Sequence, residues 1–498
     1  MLGPVLGKAI ASLLLALAVV LVPGCGTALA GAVDWQEVQS TADGRQWWDA
    51  GSVRRDRDGF LSVLSRFTPE TDEDVATLGT LFVMQIDCDQ RLFRDKQVNG
   101  LPRWRAQWEP AGDDGLIERV IDAVCRADLA WVMPPIPSSS QPIGVAIAGL
   151  GFGEAVHLPA LNANPALQPV ALWHPRQERL DLACQSQDLK CFTDWDALLS
   201  DPAVDAVILT TPPEPRYALA RRALEAGKHL LVEKPVALQA SQVADLQRLA
   251  LSRGLSVAVD FEYRAVPLFM QAARLLEAGT IGTPWLVKFD WLMSSRANPA
   301  RPWSWYSCAD QGGGVIGALG THAFDILHWL IGPTRDLHAL HHTAIKQRPN
   351  DRGEATAVDA EDVALIQARL TCNNTTETVP AQISLASVAR NGRGCWLEIY
   401  GSEGSLTLGS ENQKDYVHGF SLFVSRDGEA VRVVQPDADL AFATTWTDGR
   451  IAPVARLQGW WAGSIRSGRP MVPGLSEGLS SQSACDQAYA SHSGWSTR

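Results

Sequence analysis

The chain has 498 residues, of which 46% are hydrophobic and 20% are charged, and its formal net charge is −12. This length exceeds one ordinary hydrophobic core and predicts two or three domains, while the apolar content excludes a disordered protein. A net negative charge without a basic block argues against nucleic acid as a partner.

The N-terminus has the pattern of a targeting segment. Lys8 precedes an apolar run from Ala9 to Val22, and an Ala-Leu-Ala triplet follows at 28–30. This pattern is typical of a secretory signal peptide, and the run is shorter than the roughly 20 residues of a membrane-spanning helix. Residues 1–30 therefore predict export, or attachment to a membrane through the N-terminus. The alternative is an internal start and a cytoplasmic protein.

Residues 34–130 are predicted to form a small α+β unit. The runs 60–67 and 81–88 alternate as strands do, and 115–127 has helical spacing. In an exported protein Cys88 and Cys125 are the obvious disulfide pair, with two buried free thiols as the alternative. The unit resembles the surface-adhesin E-like domains of bacterial envelope proteins, and its sequence contains no catalytic constellation.

A proline-rich segment at 131–142 marks a domain boundary. Four prolines and three serines fall between Met133 and Pro142. Such a composition cannot hold a helix or an inner strand, so it predicts a linker.

Beyond the linker, short apolar runs alternate with helical stretches such as 215–226. The runs predicted as strands are 144–148, 168–173, 203–210 and 229–232. This alternation predicts a doubly wound parallel sheet of the Rossmann type over 143–262, with helices on both faces. The longer strands after it predict an α+β domain with an open antiparallel sheet over 263–498.

A glycine-rich turn follows the first of these strands. A dinucleotide-binding turn needs one glycine for the bend and another so that the backbone can approach the pyrophosphate. Gly149 and Gly151 supply both, and the third glycine, Gly153, falls one residue early, with Glu154 in the usual position. The place of this turn between a strand and a helix predicts a nicotinamide dinucleotide as cofactor.

The end of the second strand indicates which dinucleotide binds. An acidic residue there suits the ribose hydroxyls of NAD, and a basic one suits the extra phosphate of NADP. His174 and Arg176 occupy this stretch, and no carboxylate precedes Glu178. The sequence therefore favours NADP over NAD, unless both basic side chains simply face solvent.

Two further motifs carry a family resemblance. Thr211-Pro212-Pro213 is followed by a segment from Gly227 that ends in Glu233-Lys234-Pro235. With them, residues 143–495 resemble the Gfo/Idh/MocA oxidoreductases. The resemblance implies that Thr211, Pro212 and Glu233 lie at the cofactor and that Lys234 lies beside the nicotinamide and the substrate carbinol. An ammonium there can stabilise the oxygen as its charge changes and can relay a proton.

The same resemblance implies an acid/base histidine after the glycine run, which maps to His322. Many members carry an aspartate four residues earlier, where this chain has Ala318. Asp325, three residues after the histidine, could partly substitute or contribute to the substrate site, or only pack structurally. A second departure is Arg216, where many relatives have a histidine.

The segment 291–306 is rich in aromatic and basic residues, among them Arg301, Trp303 and Trp305. Indole faces stack on sugar C–H surfaces and guanidinium groups bind hydroxyls, so the segment predicts contacts with a sugar or cyclitol. A packed lid or a dimer seam is the alternative. The histidines at 338, 341 and 342 lack a third ligand type at a suitable spacing, so no metal is expected.

Together these features predict an NAD(P)-dependent oxidoreductase that moves a hydride between nicotinamide and a carbinol carbon of a sugar or cyclitol. The resemblance also implies a homo-oligomer. Two alternatives stay open: a non-catalytic sensor of nucleotide or ligand, which Ala318 favours, and an envelope protein whose oxidoreductase part is vestigial.

Overall fold

The computed structural model describes residues 35–129 and 141–492, apart from positions 42–43, 56–59, 70–78, 89, 100, 104–105, 113, 186–188, 374–376 and 413–417. The predicted targeting segment and most of the linker lie outside the described residues. No helix in the described ranges is long and apolar enough to cross a membrane. The chain divides into two compact units between residues 131 and 132. Membrane attachment and homo-oligomerisation stay predictions of the sequence.

The first unit is an antiparallel sheet covered by one helix. Its core joins Leu61, Val63 and Met84 of the sheet to Val120 and Ile121 of the helix. The sheet order is β1-β2-β4-β5-β6-β7, with β3 on β4 and β8 on β6. The elements are β1 (Trp35–Glu37), β2 (Gly44–Asp49), β3 (Arg54–Arg55), β4 (Leu61–Pro69), β5 (Thr80–Asp87), β6 (Leu92–Val98), β7 (Leu101–Pro102), β8 (Glu109–Pro110) and α1 (Gly115–Leu129).

Sequence chemistry explains how this helix begins and how it is fixed. The Asp114 carboxylate accepts hydrogen bonds from the amides of Leu116 and Ile117, at 3.0 and 3.1 Å, and so caps α1. Cys125 of α1 forms a disulfide with Cys88, which follows β5. The predicted disulfide is therefore present, and the alternative of two free thiols is wrong.

The second unit begins with a six-stranded, all-parallel sheet in the order β11-β10-β9-β12-β13-β14. The strand order reverses between β9 and β12, so the crevice at their carboxyl ends is where ligands bind in such folds. The elements are β9 (Ile143–Ala148), α2 (Leu158–Asn162), β10 (Leu167–Trp173), α3 (Gln177–Gln185), β11 (Lys190–Phe192), α4 (Trp195–Ser200), β12 (Ala206–Leu209), α5 (Pro213–Glu225), β13 (His229–Val232), α6 (Ala240–Arg253) and β14 (Val257–Val259).

One predicted strand is shorter than expected. The run 203–210 forms a strand only from Ala206, because Asp201 holds the residues before it in a turn. Its side chain accepts from the amide of Ala203 at 2.8 Å, and its carbonyl accepts from the amide of Val204 at 3.1 Å. Apolar composition alone does not reveal this competing local hydrogen bonding.

The remaining chain forms an eight-stranded sheet in the order β16-β19-β20-β15-β21-β22-β23-β24, and β17 pairs with β18. Phe289, Trp291 and Phe324 lie in its core. The elements are α7 (Pro267–Glu277), β15 (Pro284–Leu292), α8 (Thr321–Leu330), β16 (Thr334–His342), β17 (Gln347–Pro349), β18 (Ala355–Ala357), β19 (Val363–Thr371), β20 (Thr378–Ala386), β21 (Gly394–Gly401), β22 (Gly404–Ser410), β23 (Ser421–Arg426), β24 (Arg432–Val434), α9 (Ile451–Ser467) and α10 (Leu475–His492).

The predicted open sheet is present, antiparallel at six of its seven pairings and parallel at one, so it is mixed. β15 pairs with β20 in parallel and with β21 in antiparallel register. It is inserted between two consecutive strands that run in opposite directions, so it must be parallel to one of them. The last helices pack against the parallel sheet of the same unit: Leu457 and Trp461 of α9 lie in the core that contains Ile147 of β9.

Candidate active site

Two of the three glycines in the turn after β9 lie too close to other atoms for a side chain to fit. Gly149 has φ of +105°, a conformation that favours glycine, and its amide donates to the carbonyl of Trp173 at 3.0 Å. The Thr210 hydroxyl donates to the Gly149 carbonyl at 2.9 Å. A Cβ at 149 would lie 2.6 Å from that hydroxyl, and one at 153 would lie 2.7 Å from it. The bend therefore requires glycine at both positions.

Gly151 differs from its two neighbouring glycines. It is exposed, and a Cβ placed there would have no atom within 4 Å. No contact inside the protein therefore requires glycine at this position. An open backbone at the carboxyl edge of the sheet is what close approach of a pyrophosphate needs.

The loop after β12 contains a second feature that fits a polar ligand. Thr211 is buried, and its hydroxyl has no hydrogen-bond partner among the described residues. Pro212 beside it is exposed. Because an unpaired buried hydroxyl is costly, a cofactor group bound here would satisfy it. Together with the open Gly151 backbone, this donor makes the crevice suitable for a dinucleotide.

The end of β10 presents the two basic residues. The His174 amide donates to the Phe192 carbonyl at 3.2 Å, and the Arg176 amide donates to the His174 Nδ1 at 3.1 Å. Burial lowers the pKa of His174. Arg176 is exposed, and its guanidinium forms no ion pair with a described carboxylate. It is therefore available to a ligand phosphate.

Arg216 occupies a buried position at the start of α5 and binds backbone rather than ligand. Its guanidinium donates to the carbonyl of Glu233 at 2.7 Å and also to the carbonyls of Pro235 and Thr211. Burial lowers the pKa of Arg216 to about 10, although the charge of Glu233 opposes this. The arginine thus ties the loop after β12 to the loop that carries Lys234.

Replacing this arginine tests its structural role. We expect Arg216→Met to lower the free energy of unfolding by about 1–3 kcal/mol, because buried carbonyls would lose their donors. Urea denaturation measures the loss. The matched control is Arg222→Met on the same helix, where the exposed arginine pairs with Asp196 at the surface; it should change stability by less than about 1 kcal/mol. Equal stability of the two variants would contradict this role.

Lys234 follows β13, and its side chain reaches the domain that contains the eight-stranded sheet. Its Nζ donates to the carbonyl of Ala318 at 3.2 Å, in the turn that leads into α8. The side chain is half-buried. One hydrogen bond leaves further N–H donors of the ammonium available to a ligand. Lys234 and the segment before His322 therefore meet at one point.

His322 lies on α8 and is 3% exposed. Aromatic rings pack against its imidazole, with ring centroids at 5.0 Å for Tyr263 and 6.0 Å for Trp291. Burial, reinforced by the charge of Lys234, lowers the pKa of His322 well below its usual value. A neutral imidazole can accept a proton, as a general base must.

Asp325 does not serve as the partner of this histidine. Its carboxylate is 2% exposed and receives both the Nε and Nη2 of Arg264, at 2.8–3.1 Å. This bidentate ion pair gives the carboxylate a structural partner and favours the alternative that Asp325 packs structurally; its contact with substrate stays a prediction. The carboxyl oxygen found near His322 belongs instead to Glu262, at 3.6 Å from the His322 Nε2.

The segment 291–306 is held partly by its own contacts. The Trp303 indole donates to the Ala357 carbonyl at 2.9 Å, and the ring of Trp305 lies 5.8 Å from that of Tyr306. Arg301 is exposed and donates to the Ser295 carbonyl at 3.1 Å. The indole N–H of Trp303 is therefore engaged within the protein, as a packed lid requires. Substrate contacts of Arg301, Trp303 and Trp305 stay predictions.

A buried cluster joins Glu233, which the sequence analysis named, to two residues that it missed, His157 and Asp260. His157 Nε2 lies 3.1 Å from a Glu233 oxygen and 3.4 Å from an Asp260 oxygen. The Gln458 amide donates to the His157 carbonyl at 3.2 Å and lies 3.3 Å from the ring Nδ1, which leaves the ring proton on Nε2. The two carboxyls lie at the carboxyl ends of β13 and β14, so three segments meet here.

The hydrogen bonding of this cluster favours a proton shared between the His157 imidazole and the Glu233 carboxylate. Its three ligand atoms all lie within 4.8 Å of one another, close enough for a metal ion. With the Gln458 amide oriented in this way, the proton on the His157 Nε2 lies on the side of the Glu233 oxygen. Burial, followed by the charges of Glu233 and Glu262, raises the pKa of Asp260 well above its usual value. Burial opposes a low pKa for Glu233, but the hydrogen bond from His157 lowers it.

Comparisons with known proteins match both units. Residues 36–131 match the surface adhesin-E family, 143–261 the oxidoreductase family with an NAD-binding Rossmann fold, and 269–407 the GFO/IDH/MocA C-terminal domain. An uncharacterized oxidoreductase of Synechocystis sp. is 42% identical over 358 residues, which cover 71% of this chain and 95% of that protein. The chain belongs to the Gfo/Idh/MocA oxidoreductase family.

Solved structures agree with this fold. A levoglucosan dehydrogenase in complex with NADH and levoglucosan superposes with a TM-score of 0.63 at 22% identity, covering 71% of this chain and 98% of that one. The levoglucosan dehydrogenase of Pseudarthrobacter phenanthrenivorans is 28% identical over 247 residues, 46% of this chain and 61% of that protein. The predicted oxidoreductase with a nicotinamide-binding Rossmann domain is confirmed.

Within this Gfo/Idh/MocA chain, one sequence signal would have located the missed acids. Asp260 and Glu262 follow directly after the buried strand β14, and their spacing places them at the carboxyl edge of a parallel sheet. Functional groups concentrate at that edge. His157, four residues after Gly153, gave no such signal, because a lone histidine in a helical stretch is more often structural.

Proposed function

We propose that this oxidoreductase transfers a hydride between nicotinamide and a carbinol carbon of a sugar or cyclitol. The main support for the proposal is the hydrogen bond between Lys234 and the turn that precedes His322. Lys234 follows strand β13 of the dinucleotide-binding sheet, and its Nζ lies 3.2 Å from the Ala318 carbonyl. One ammonium and one neutral imidazole therefore lie beside the crevice that fits the cofactor.

The two groups have complementary tasks. When bound, the nicotinamide accepts or returns the hydride. In alcohol oxidation His322 takes the proton of the substrate hydroxyl, so an O–H bond breaks and an N–H bond forms. Lys234 donates a hydrogen bond to the same oxygen and stabilises the charge that develops on it. In the reverse direction the proton returns from His322 to the alcohol oxygen.

The substrate class is proposed from the aromatic and basic segment that follows β15. Arg301, Trp303 and Trp305 lie in the segment that follows β15, the strand whose Trp291 packs against His322. Aromatic and guanidinium groups suit polyhydroxylated rings. The related levoglucosan dehydrogenases act on a sugar-like alcohol, which supports the same class here.

A spectrophotometric screen tests the proposal. Purified protein is mixed with NAD or NADP and a panel of aldoses, anhydrosugars and cyclitols. We expect reduced nucleotide to accumulate with at least one member, and His322→Asn to lower that rate about a hundredfold. Nucleotide binding without turnover on any member would favour the sensor alternative, for which the alanine at 318 is the supporting feature.

We propose further that NADP binds more tightly than NAD. The support is the exposed, unpaired Arg176 at the end of β10, with no carboxylate before Glu178. Arg176→Ala should erase a preference worth about 1–3 kcal/mol, the size of a charge-assisted hydrogen bond. Titration calorimetry of both nucleotides with parent and variant measures it, and Arg179→Ala serves as a neighbouring arginine control. Tighter binding of NAD by the parent would refute the preference.

A further inference from the structure

Glu262 lies in the short turn Glu262–Ala265 that follows β14, and it is 6% exposed. Its Oε2 lies 3.6 Å from the His322 Nε2. The turn comes from the end of the dinucleotide-binding sheet, whereas the histidine lies on α8. A carboxyl group therefore approaches the histidine from a different element than the helix position 318, where many family members carry their aspartate.

Three acidic groups act on Glu262 by their charge. Asp260, two residues before it, lies 3.4 Å from the His157 Nε2. Asp325 of α8 is held by Arg264, and Glu233 of the loop after β13 accepts from His157. Lys234 is the cation facing Glu262 from that same loop. Glu262 therefore lies beside His322 and within reach of the charge of Lys234.

Burial, with Glu233 and Asp325 adding to it, raises the pKa of Glu262 to about 8, although Lys234 opposes the shift. Below about pH 8 the group is a neutral acid, and above it a carboxylate that can pair with a charged imidazole. Alcohol oxidation, which places a proton on His322, should therefore become faster as pH rises through this region.

We propose that Glu262 is the positioning residue of His322, supplying a carboxylate from the turn after β14. It fixes the orientation of the ring and offsets the charge that the ring gains with the substrate proton. The bond that breaks is the substrate O–H and the bond that forms is the imidazole N–H. This inference rests on the proposed function of His322 and goes beyond it in naming the partner.

The kinetic test uses Glu262→Gln, which keeps the size and polarity of the side chain. We expect kcat for alcohol oxidation above pH 8 to fall about a hundredfold, with KM changed only a few-fold and the rise with pH abolished. Adding Ala318→Asp, which places a carboxylate four residues before His322, should restore kcat at least about tenfold. If Glu262→Gln does not fold, Glu262→Asp, which withdraws the carboxyl by one methylene, should lower kcat in the same direction.

The matched control is Glu361→Gln. Glu361 is also buried, but its carboxyl accepts from the Ile316 amide at 2.8 Å and the Tyr489 hydroxyl at 3.1 Å. This variant should keep the parental dependence of kcat on pH. A Glu262→Gln variant with the parental kcat and pH profile would overturn the inference.

A readout without turnover separates this inference from the proposed function. Histidine-labelled protein is titrated by NMR, and His322→Asn assigns the signal. Glu262→Gln should shift the titration or tautomer of His322, and Glu361→Gln should not. An unchanged His322 signal would overturn the inference even if the enzyme is active. A shifted signal in a protein that oxidises no alcohol would instead contradict the proposed function alone.

Discussion

Lys234→Met is expected to lower turnover at least about a hundredfold while dinucleotide binding stays close to parental. The variant keeps the length of the side chain but removes the charge that stabilises the substrate oxygen, and lost electrostatic or proton-transfer groups have effects of this size. The variant loses one hydrogen bond, to the carbonyl of the half-buried Ala318, so folding should survive. Steady-state kinetics and quenching of protein fluorescence by NADH measure the two effects.

The control for this variant is Lys228→Met at the other end of the same strand. Lys228 donates to the Val204 carbonyl at 2.6 Å, away from the carboxyl edge where Lys234 lies. It should retain parental turnover. Near-normal turnover of Lys234→Met would show that the lysine is only structural.

Two alanine substitutions in the glycine turn are expected to have different effects, one on dinucleotide binding and the other on the free energy of unfolding. Gly151→Ala should fold with parental stability, because its Cβ meets no protein atom, but should weaken dinucleotide binding about 10–100-fold. Gly153→Ala should instead lower the free energy of unfolding by about 1–3 kcal/mol. Its Cβ would lie 2.7 Å from an Ile147 methyl in the core of the sheet.

Calorimetric titration with NADH and urea denaturation check both effects. Gly459→Ala is the control, because a Cβ there lies 3.6 Å from the Asn164 amide, an ordinary contact distance. It should change neither binding nor stability by a large amount. Parental affinity in Gly151→Ala would mean that the pyrophosphate does not approach the turn at that position.

The sequence predicted those features that depend on local pattern. The glycine turn, the parallel sheet and the place of Lys234 follow from glycine spacing, strand–helix alternation and one short motif. Each of these is encoded within a few consecutive residues. The same holds for the disulfide between Cys88 and Cys125, since few cysteines in that unit could pair.

The features it missed depend on contacts between distant segments. Asp325 has the right spacing from His322 along the helix, yet its carboxylate forms an ion pair with Arg264, which lies in the turn after β14. Glu262 has no local relation to the histidine and approaches it only because the turn after β14 packs beside α8. Likewise, the mixed sheet arises from the insertion of β15 between β20 and β21, which no pattern within β15 reveals.

The most direct test of the account is the fate of the hydride itself. Protein is incubated with oxidised nucleotide and the alcohol that is most active in the screen, carrying deuterium on its reacting carbinol carbon. We expect deuterium at C4 of the nicotinamide and a primary isotope effect on the chemical step; in Lys234→Met the transfer should be about a hundredfold slower with the isotope effect kept. Oxidation of the alcohol without deuterium at C4, or bound nucleotide that accepts no deuterium from any member of the panel, would contradict it.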